Sequence, residues 1–459
     1  MATIPAFRPI PALPTSLPIV ERRAALPAGF AAGGAAIGIK ASGRPDLVLI
    51  RTRNGPAAAA AVFTPNAFAA APVKQSQANL AATSGDARGR HGWAEVLIST
   101  SGSANAATGA AGDADQAEIG HIVAGATGVA LEHVLHLSTG VIGTRLPLDR
   151  VAAGVEANVP LLTTSDEGLA AAAEALRTTD SVTKMAATSA ELPAADGGAV
   201  RVTVSGIAKG VGMIHPRMAT MLAVVLTDAA VEPEVLAALL RAATVRTWNQ
   251  LSVDGDTSTN DTVFVLASGA AGNPAVEAGS EAARTLGAAI EAIARDLARQ
   301  QAADGEGAST LITCQVSGAR DDAEARAVAR TVVSSSLFKA AVHGRDPNWG
   351  RIAGAAGNAV LADAAVLEAG GLSAAEATAR GGSPVALDPN RLRIAIAGHL
   401  VFDGTAGGPV AFDRAAARAQ MDAPELLVGL DLGLGDGTGE AFGCDLTEQY
   451  VIENSEYTT

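Results

Sequence analysis

Aromatic residues are scarce, at 3% of the 459 residues. Alanine, valine and leucine must therefore supply most of any core, and a 48% hydrophobic composition allows it. Cysteine is nearly absent. Two residues, Cys314 and Cys444, exclude a disulfide framework and make a reducing cytoplasm the expected compartment. Basic charge is also short, 33 Lys and Arg against 47 Asp and Glu. A net charge of −14 excludes the basic footprint of a nucleic-acid partner and keeps copies of the chain apart in solution. The alanine-rich stretches meet a charge or a glycine well before the ~20 apolar residues a membrane span needs, so no membrane partner is expected. Residues 1–27 are proline-rich, and the arginine pair Arg22–Arg23 comes after the apolar part. That order is wrong for a secretory signal, and a loosely draped arm is expected there.

Several familiar motifs are missing as well. There is no H-E-x-x-H, no paired C-x-x-C and no G-x-S-x-G. The acidic stretch from Asp254 to Asp261 resembles a calcium loop for three positions and then places Thr259 where glycine is required. The glycine run over 433–439 lacks G-x-G-x-x-G spacing and a following helix, so it reads as a turn after a strand. His121, His133 and His136 have no acidic or cysteine partner to complete a metal set. Neither a metal nor an organic cofactor is expected.

What is present is an alternation of short apolar runs and helical patterns. Residues 47–51, 94–100, 200–206, 221–227, 262–267, 311–316 and 392–397 read as strands, being rich in β-branched residues or leucine. Residues 113–125, 165–176, 233–247, 280–302 and 322–341 read as helices. In the fourth of these, Leu286, Ile290, Ile293 and Leu297 fall on one face. The Ala/Gly-rich stretch 363–384 reads as a surface insertion. The length suits one large α/β unit or two closely packed lobes.

One segment carries unusual chemistry. Residues 208–228 read AKGVGMIHPRMATMLAVVLTD. A glycine-rich turn precedes the small–hydroxyl pair Ala219–Thr220, and a continuous apolar run follows. On residues alone two readings stand. Thr220 is a strand-favouring residue opening a core strand, or its hydroxyl is driven onto the preceding carbonyl, so that an N-to-O acyl shift cuts the chain. In the second case the freed α-amine, with an ordinary pKa of about 7.7–8.0, is a general base beside its own hydroxyl.

Lys209 to Leu222 resembles the processing motif K-G-x-G-M-x-x-P-x-x-A-T-M-L of the ornithine acetyltransferase family at every fixed position. The similarity continues along most of the chain. It includes L-P-A-G-F over 26–30, G-I-K-A-S-G over 38–43, S-T-G-V-I-G over 138–143, T-T-D over 178–180 and V-D-G over 253–255. It goes on with S-T-N-D-T over 258–262, E-G over 306–307, D-P-N-W-G-R over 346–351 and E-N-S-E-Y-T-T over 453–459.

The resemblance implies an αββα sandwich of the N-terminal-nucleophile type that cuts itself between Ala219 and Thr220. Residues 1–219 and 220–459 then stay associated, and two such αβ units form a heterotetramer. It implies Thr220 as nucleophile, taking the acetyl group of N-acetylornithine and passing it to glutamate in two half-reactions. Thr139 and Gly140 match the oxyanion pair; without the match they read as an ordinary β-turn. Thr178, Lys209, Glu306, Asn454 and Thr459 match substrate positions; alone they read as turn, helix or tail residues. Asp254, Asn260, Asp346, Asn348 and Arg351 fall in matching motifs with no role beyond turns, caps and a salt bridge.

The chain departs from the family in its early loop. Thr100 stands where the family commonly has asparagine, and Ala107 where it has cysteine. The acidic net charge and the failed glycine run favour N-acetylornithine over acetyl-CoA as donor, since a nucleotide tail wants basic or phosphate-cradling groups. The rival readings are a bifunctional enzyme that also uses acetyl-CoA, an N-terminal-nucleophile aminopeptidase or amidase in which water takes the acyl group, and a non-enzymatic scaffold.

Overall fold

The computed structural model describes residues 17–215 and 221–455. The chain forms two compact units. Residues 17–215, 221–244 and 256–301 make the first, and residues 245–255 with 302–455 make the second.

Two sheets build the first unit. The smaller has four strands in the order Phe30–Ala35, Leu47–Thr52, Val96–Ser103, Val134–Val141. The larger has six, in the order His91–Ala94, Ala57–Phe63, Thr262–Ala267, Leu222–Thr227, Ala199–Lys209, Lys184–Pro193. Side chains alternate across a strand, and the Leu47–Thr52 strand uses both faces. Val48 and Ile50 join Ala59, Ala61, Val224, Leu226 and Phe264 of the other sheet in one shared core. Leu47 and Leu49 face the other way, against Ile119 and Val123 of helix Gly109–Thr127 and Val151 and Val155 of helix Leu148–Asn158. On the larger sheet, helix Glu281–Ala303 packs at Gly206, where an added Cβ would lie 2.8 Å from Ile293 and 2.9 Å from Leu297. Leu286, Ile290, Ile293 and Leu297 are each fully buried, as the spacing predicts. Fully burying each such side chain contributes about 1.5–3 kcal/mol. The expected αββα layering is thus that of the first unit.

The second unit has a seven-stranded sheet in the order Leu251–Ser252, Gly437–Cys444, Leu311–Ala319, Glu425–Asp431, Arg393–Ile396, His399–Asp403, Gly408–Pro409. Its core joins Ile312, Val428 and Leu430 of the sheet to Val328, Val332, Phe338 and Ile352 of helices Asp322–Ser334, Ser336–His343 and Trp349–Ala356. The glycine run is a turn after a strand over 433–436 and then enters the strand Gly437–Cys444, where packing explains its composition. A Cβ at Gly437 would lie 2.2 Å from the backbone of Asp321, and one at Gly439 would lie 2.6 Å from that of Arg326.

Four expectations need correction. The apolar run 94–100 is split at Glu95: His91–Ala94 belongs to the larger sheet of the first unit and Val96–Ser103 to the smaller. The helix over 322–341 breaks at Ser335, whose side chain accepts from the Phe338 N–H and caps a new helix. Residues 363–384 lie mostly at the surface but carry helices that the insertion reading did not foresee. They form helices Ala364–Ala369 and Ala374–Arg380, capped by Asp363 and Ser373, with Leu367 and Ala377 packed on Ala323 and Leu361. The described part of the N-terminal arm is tied down as well: Glu21 exchanges backbone hydrogen bonds with Ala187, and Arg22 pairs with Asp296. No described helix is long and apolar enough to cross a membrane.

Candidate active site

At the ends of two parallel strands in the smaller sheet, Val96–Ser103 and Val134–Val141, the pairing is irregular, with Ser103 opposite both Thr139 and Val141, so Thr139 and Gly140 form a bulged bend within the strand and not the ordinary β-turn read from residues alone. Gly140 has φ +128°, and a Cβ there would lie 2.3 Å from the carbonyl carbon of Gly102. Only glycine fits, because the backbones approach too closely for any side chain. Thr139 is 8% exposed. Next to it, the Ser138 hydroxyl meets the Thr100 hydroxyl at 2.5 Å and donates to Ser103 O at 3.1 Å. Thr100, one of the two departures from the family pattern, is therefore a buried support of this turn.

Asn260 supports it from the other side. Its Nδ2 donates to Ala104 O at 2.6 Å and to Ser138 O at 2.9 Å, and its Oδ1 accepts from the Thr259 hydroxyl at 2.7 Å. Its side chain is buried and spans two segments. It does more than the turn-forming part expected of it. Asn260→Ala is expected to leave two buried carbonyls without these donors and to cost about 1–3 kcal/mol. A urea unfolding midpoint unchanged from that of the unmutated protein would contradict this placement.

Lys209 ends the strand Ala199–Lys209, in register with Leu222 of the adjacent antiparallel strand. Its Nζ donates to the Thr139 hydroxyl oxygen at 3.1 Å, and its carbonyl accepts from Gln301 Nε2 at 2.9 Å. Since Thr139 Oγ1 accepts this bond, its own proton is available to another acceptor. A glycine turn with a hydroxyl donor backed by an ammonium suits an anion developing on a carbonyl oxygen.

Behind Lys209 lies a buried charged group that residue types and spacing do not announce. Asp180 is 2% exposed and Lys184 fully buried, with Lys184 Nζ 2.7 Å from Asp180 Oδ1. Asp180 Oδ1 also accepts the Gly210 N–H at 2.8 Å, and Oδ2 accepts the Thr178 N–H at 3.1 Å. Burial would raise this carboxyl, but the Lys209 and Lys184 ammoniums and these hydrogen bonds prevail and hold it at about 2. It is therefore a carboxylate throughout the neutral range. Nearby, burial brings Lys40 down to about 8, with Arg44 adding to the effect; its Nζ donates to Pro45 O at 2.5 Å and Ala175 O at 3.3 Å.

From Gly210, with φ +133°, the chain runs to Ile214, which bridges Thr257, and His215, whose carbonyl accepts from the Thr257 hydroxyl at 2.9 Å. It is described again from Met221, 4% exposed, whose carbonyl accepts the Thr262 N–H at 2.9 Å. The expected cleavage pair Ala219 and Thr220 lies outside the described residues, as does Thr459.

In the second unit, Glu306 and Asn454 come together. Asn454 Nδ2 donates to Glu306 Oε2 at 3.0 Å from helix Glu448–Ser455. The start of that helix is fixed by the Thr447 hydroxyl on Gly307 O at 2.7 Å and by Glu448 on His343 at 2.9 Å. Asn348 caps helix Trp349–Ala356, and Asp346 accepts from Asn348 and Arg414, so that motif is structural in this unit. In the first unit His133 meets Glu95 at 2.8 Å, and buried His136 meets Gln116 at 2.9 Å. Among the described residues no group of His, Cys, Asp and Glu could hold a metal ion.

A sequence model of the ArgJ family matches residues 31–459. The chain is similar to the arginine biosynthesis bifunctional protein ArgJ of Gloeobacter violaceus, 43% identical over 94% of this chain and 96% of that one. It is 44% identical to the protein of the same name from Synechococcus sp., again over 94% of this chain and 96% of that one. Among solved structures, it is similar to the ornithine acetyltransferase complexed with ornithine from Mycobacterium tuberculosis. That match has 40% identity and a TM-score of 0.37, over 43% of this chain and 97% of that one.

Proposed function

The chain belongs to the ArgJ family of arginine-biosynthesis enzymes, and on that footing we propose that it carries an acetyl group from N-acetylornithine to glutamate on the Thr220 hydroxyl. The observation that carries this reading is the bond between Lys209 and Thr139. Lys209 is in register with Leu222, two residues after Thr220, so the strand that begins just past the nucleophile runs beside the residue that reaches the oxyanion turn.

Processing comes first. The Thr220 hydroxyl attacks the Ala219 carbonyl, the amide C–N bond breaks, and water hydrolyses the resulting ester. Ala219 is left with a carboxylate and Thr220 with a free amine. The two halves stay together because six residue pairs join the strands on either side of the cut, from Val204–Thr227 to Lys209–Leu222. Two such pairs assemble as the heterotetramer the family pattern implies.

In the transfer itself, the α-amine of Thr220 takes the hydroxyl proton as the oxygen attacks the acetyl carbonyl. Thr139 and Gly140 stabilise the oxyanion, ornithine leaves with a proton, and an acetyl-threonine ester remains. Glutamate's amine then attacks the ester and leaves as N-acetylglutamate. Lys209 has three N–H donors and can hold a substrate carboxylate while bonded to Thr139. Thr178, Glu306, Asn454 and Thr459 match the family's substrate positions, and Glu306 suits an ammonium.

Purified protein given N-acetylornithine and glutamate is expected to release ornithine and N-acetylglutamate in equal amounts. Acetate in place of N-acetylglutamate would instead identify a hydrolase. A second reading, that acetyl-CoA also loads Thr220, is favoured by the name of the relatives, which are called bifunctional. The net charge of −14 argues for N-acetylornithine as the better donor. Side-by-side assays of glutamate acetylation are expected to give it the higher kcat/KM, and equal values would make the second reading the right one.

A further inference from the structure

Burying an ion pair removes two charges from water, and their attraction often fails to offset that cost. Asp180 and Lys184 do so completely, and their surroundings show what the pair organises. The Asp180 carboxylate collects three donors from three segments. They are the Thr178 N–H after helix Asp166–Leu176, the Lys184 ammonium at the start of strand Lys184–Pro193, and the Gly210 N–H just past strand Ala199–Lys209. Two of these donors belong to or adjoin residues placed above in the substrate site, Thr178 and Lys209.

We propose that Asp180 is a positioning residue for acetyl transfer: it fixes Thr178 and Gly210 to one carboxylate and so sets the Lys209 ammonium against the Thr139 hydroxyl. The inference rests on the functional reading above. The chain of contacts is continuous. Asp180 holds the Gly210 N–H at 2.8 Å, Gly210 is bonded to Lys209, and Lys209 Nζ reaches Thr139 Oγ1 at 3.1 Å. With Lys209 as donor, the Thr139 proton points away from the ammonium, toward the developing oxyanion. Lys184 keeps the carboxylate charged and in place.

The test is a double-mutant cycle between Asp180→Asn and Thr139→Ala, with kcat normalised to the cut form of the enzyme. Asp180→Asn alone is expected to lower kcat on the order of tenfold, with KM for both substrates changed much less. In the Thr139→Ala background it is expected to cost little, because the donor it positions is gone. Since Asp180→Asn removes the carboxylate that Lys184 pairs with, Asp180→Asn with Lys184→Met provides a second measurement. The double variant is expected to regain melting temperature but not kcat. Additive effects of Asp180→Asn and Thr139→Ala would overturn the proposal. A double variant with unmutated kcat, or one that does not fold, would assign the pair to stability and overturn it too. Failure of the underlying reading would show separately, as acetyl transfer that survives Thr220→Ala.

Discussion

Thr220→Ala is expected to run as one uncut chain and to lose acetyl transfer on the order of a thousandfold or more. The unmutated protein is expected to run as fragments of 219 and 459 − 219 = 240 residues, the second beginning at Thr220. One atom accounts for both losses. The hydroxyl that attacks the Ala219 carbonyl during processing later attacks the acetyl carbonyl of the donor. Alanine has no such oxygen, and without the cut there is no α-amine to serve as base. Thr220→Ser keeps the oxygen and is expected to cut and to transfer, more slowly. Neither loss reflects unfolding: the strand Leu222–Thr227 is buried along its length between Ala199–Lys209 and Thr262–Ala267, and removing a hydroxyl before it leaves those pairings intact. Circular dichroism and melting temperature close to those of the unmutated protein are the control. A Thr220→Ala protein that still transfers acetyl groups would remove Thr220 from the chemistry.

Thr139→Ala is expected to lower kcat and kcat/KM by about the same factor, near a hundredfold. Thr139 lies beside Gly140, whose backbone is held against Gly102 by the absence of a Cβ, so the turn keeps its shape when the hydroxyl is removed. Ser138 remains anchored by Thr100 and Asn260. What is lost is a donor aimed at charge that exists only in the transition state, and such a loss leaves substrate affinity alone. Steady-state kinetics with each substrate varied in turn separates the cases. A rise in KM with kcat unchanged would make Thr139 a ground-state contact and leave the oxyanion to other donors.

The layered core was legible because its signals are local. Residues 47–51 were legible as a short apolar run, whose alternate side chains the backbone period of two sends to two cores, and helix 280–302 as the one-sided stripe of Leu286, Ile290, Ile293 and Leu297 at a period of 3.6. Breaks that depend on a single residue were not. Glu95 separates strands of two different sheets within one apolar run, and Ser335 supplies a cap that competes with helix continuation. The glycine run over 433–439 looked like a ligand loop in outline, while Gly435, Gly437 and Gly439 answer to the close approach of the backbone at Ala319, Asp321 and Arg326.

In the site, the matched motifs did bring Thr139 to Lys209 and Asn454 to Glu306. The supporting groups were hidden for a physical reason. Asp180 fell in a matched motif and Lys184 in none, and nothing in their spacing tells that the neighbouring strands and the turn at Gly210 bury them together. Asn260 sat in a recognised motif, yet its two carbonyl acceptors come from residues 104 and 138, far away in the chain.

Acetyl transfer by this route requires an acetyl group attached to Thr220. The most direct measurement is intact mass spectrometry of the purified, cut protein incubated with N-acetylornithine and no glutamate, followed by peptide mapping. The predicted result is one added acetyl group on the fragment that begins at Thr220, located to its first residue and discharged when glutamate is added. Steady transfer with no acetylated fragment, or an acetyl group on another residue that glutamate discharges at the rate of turnover, would contradict it.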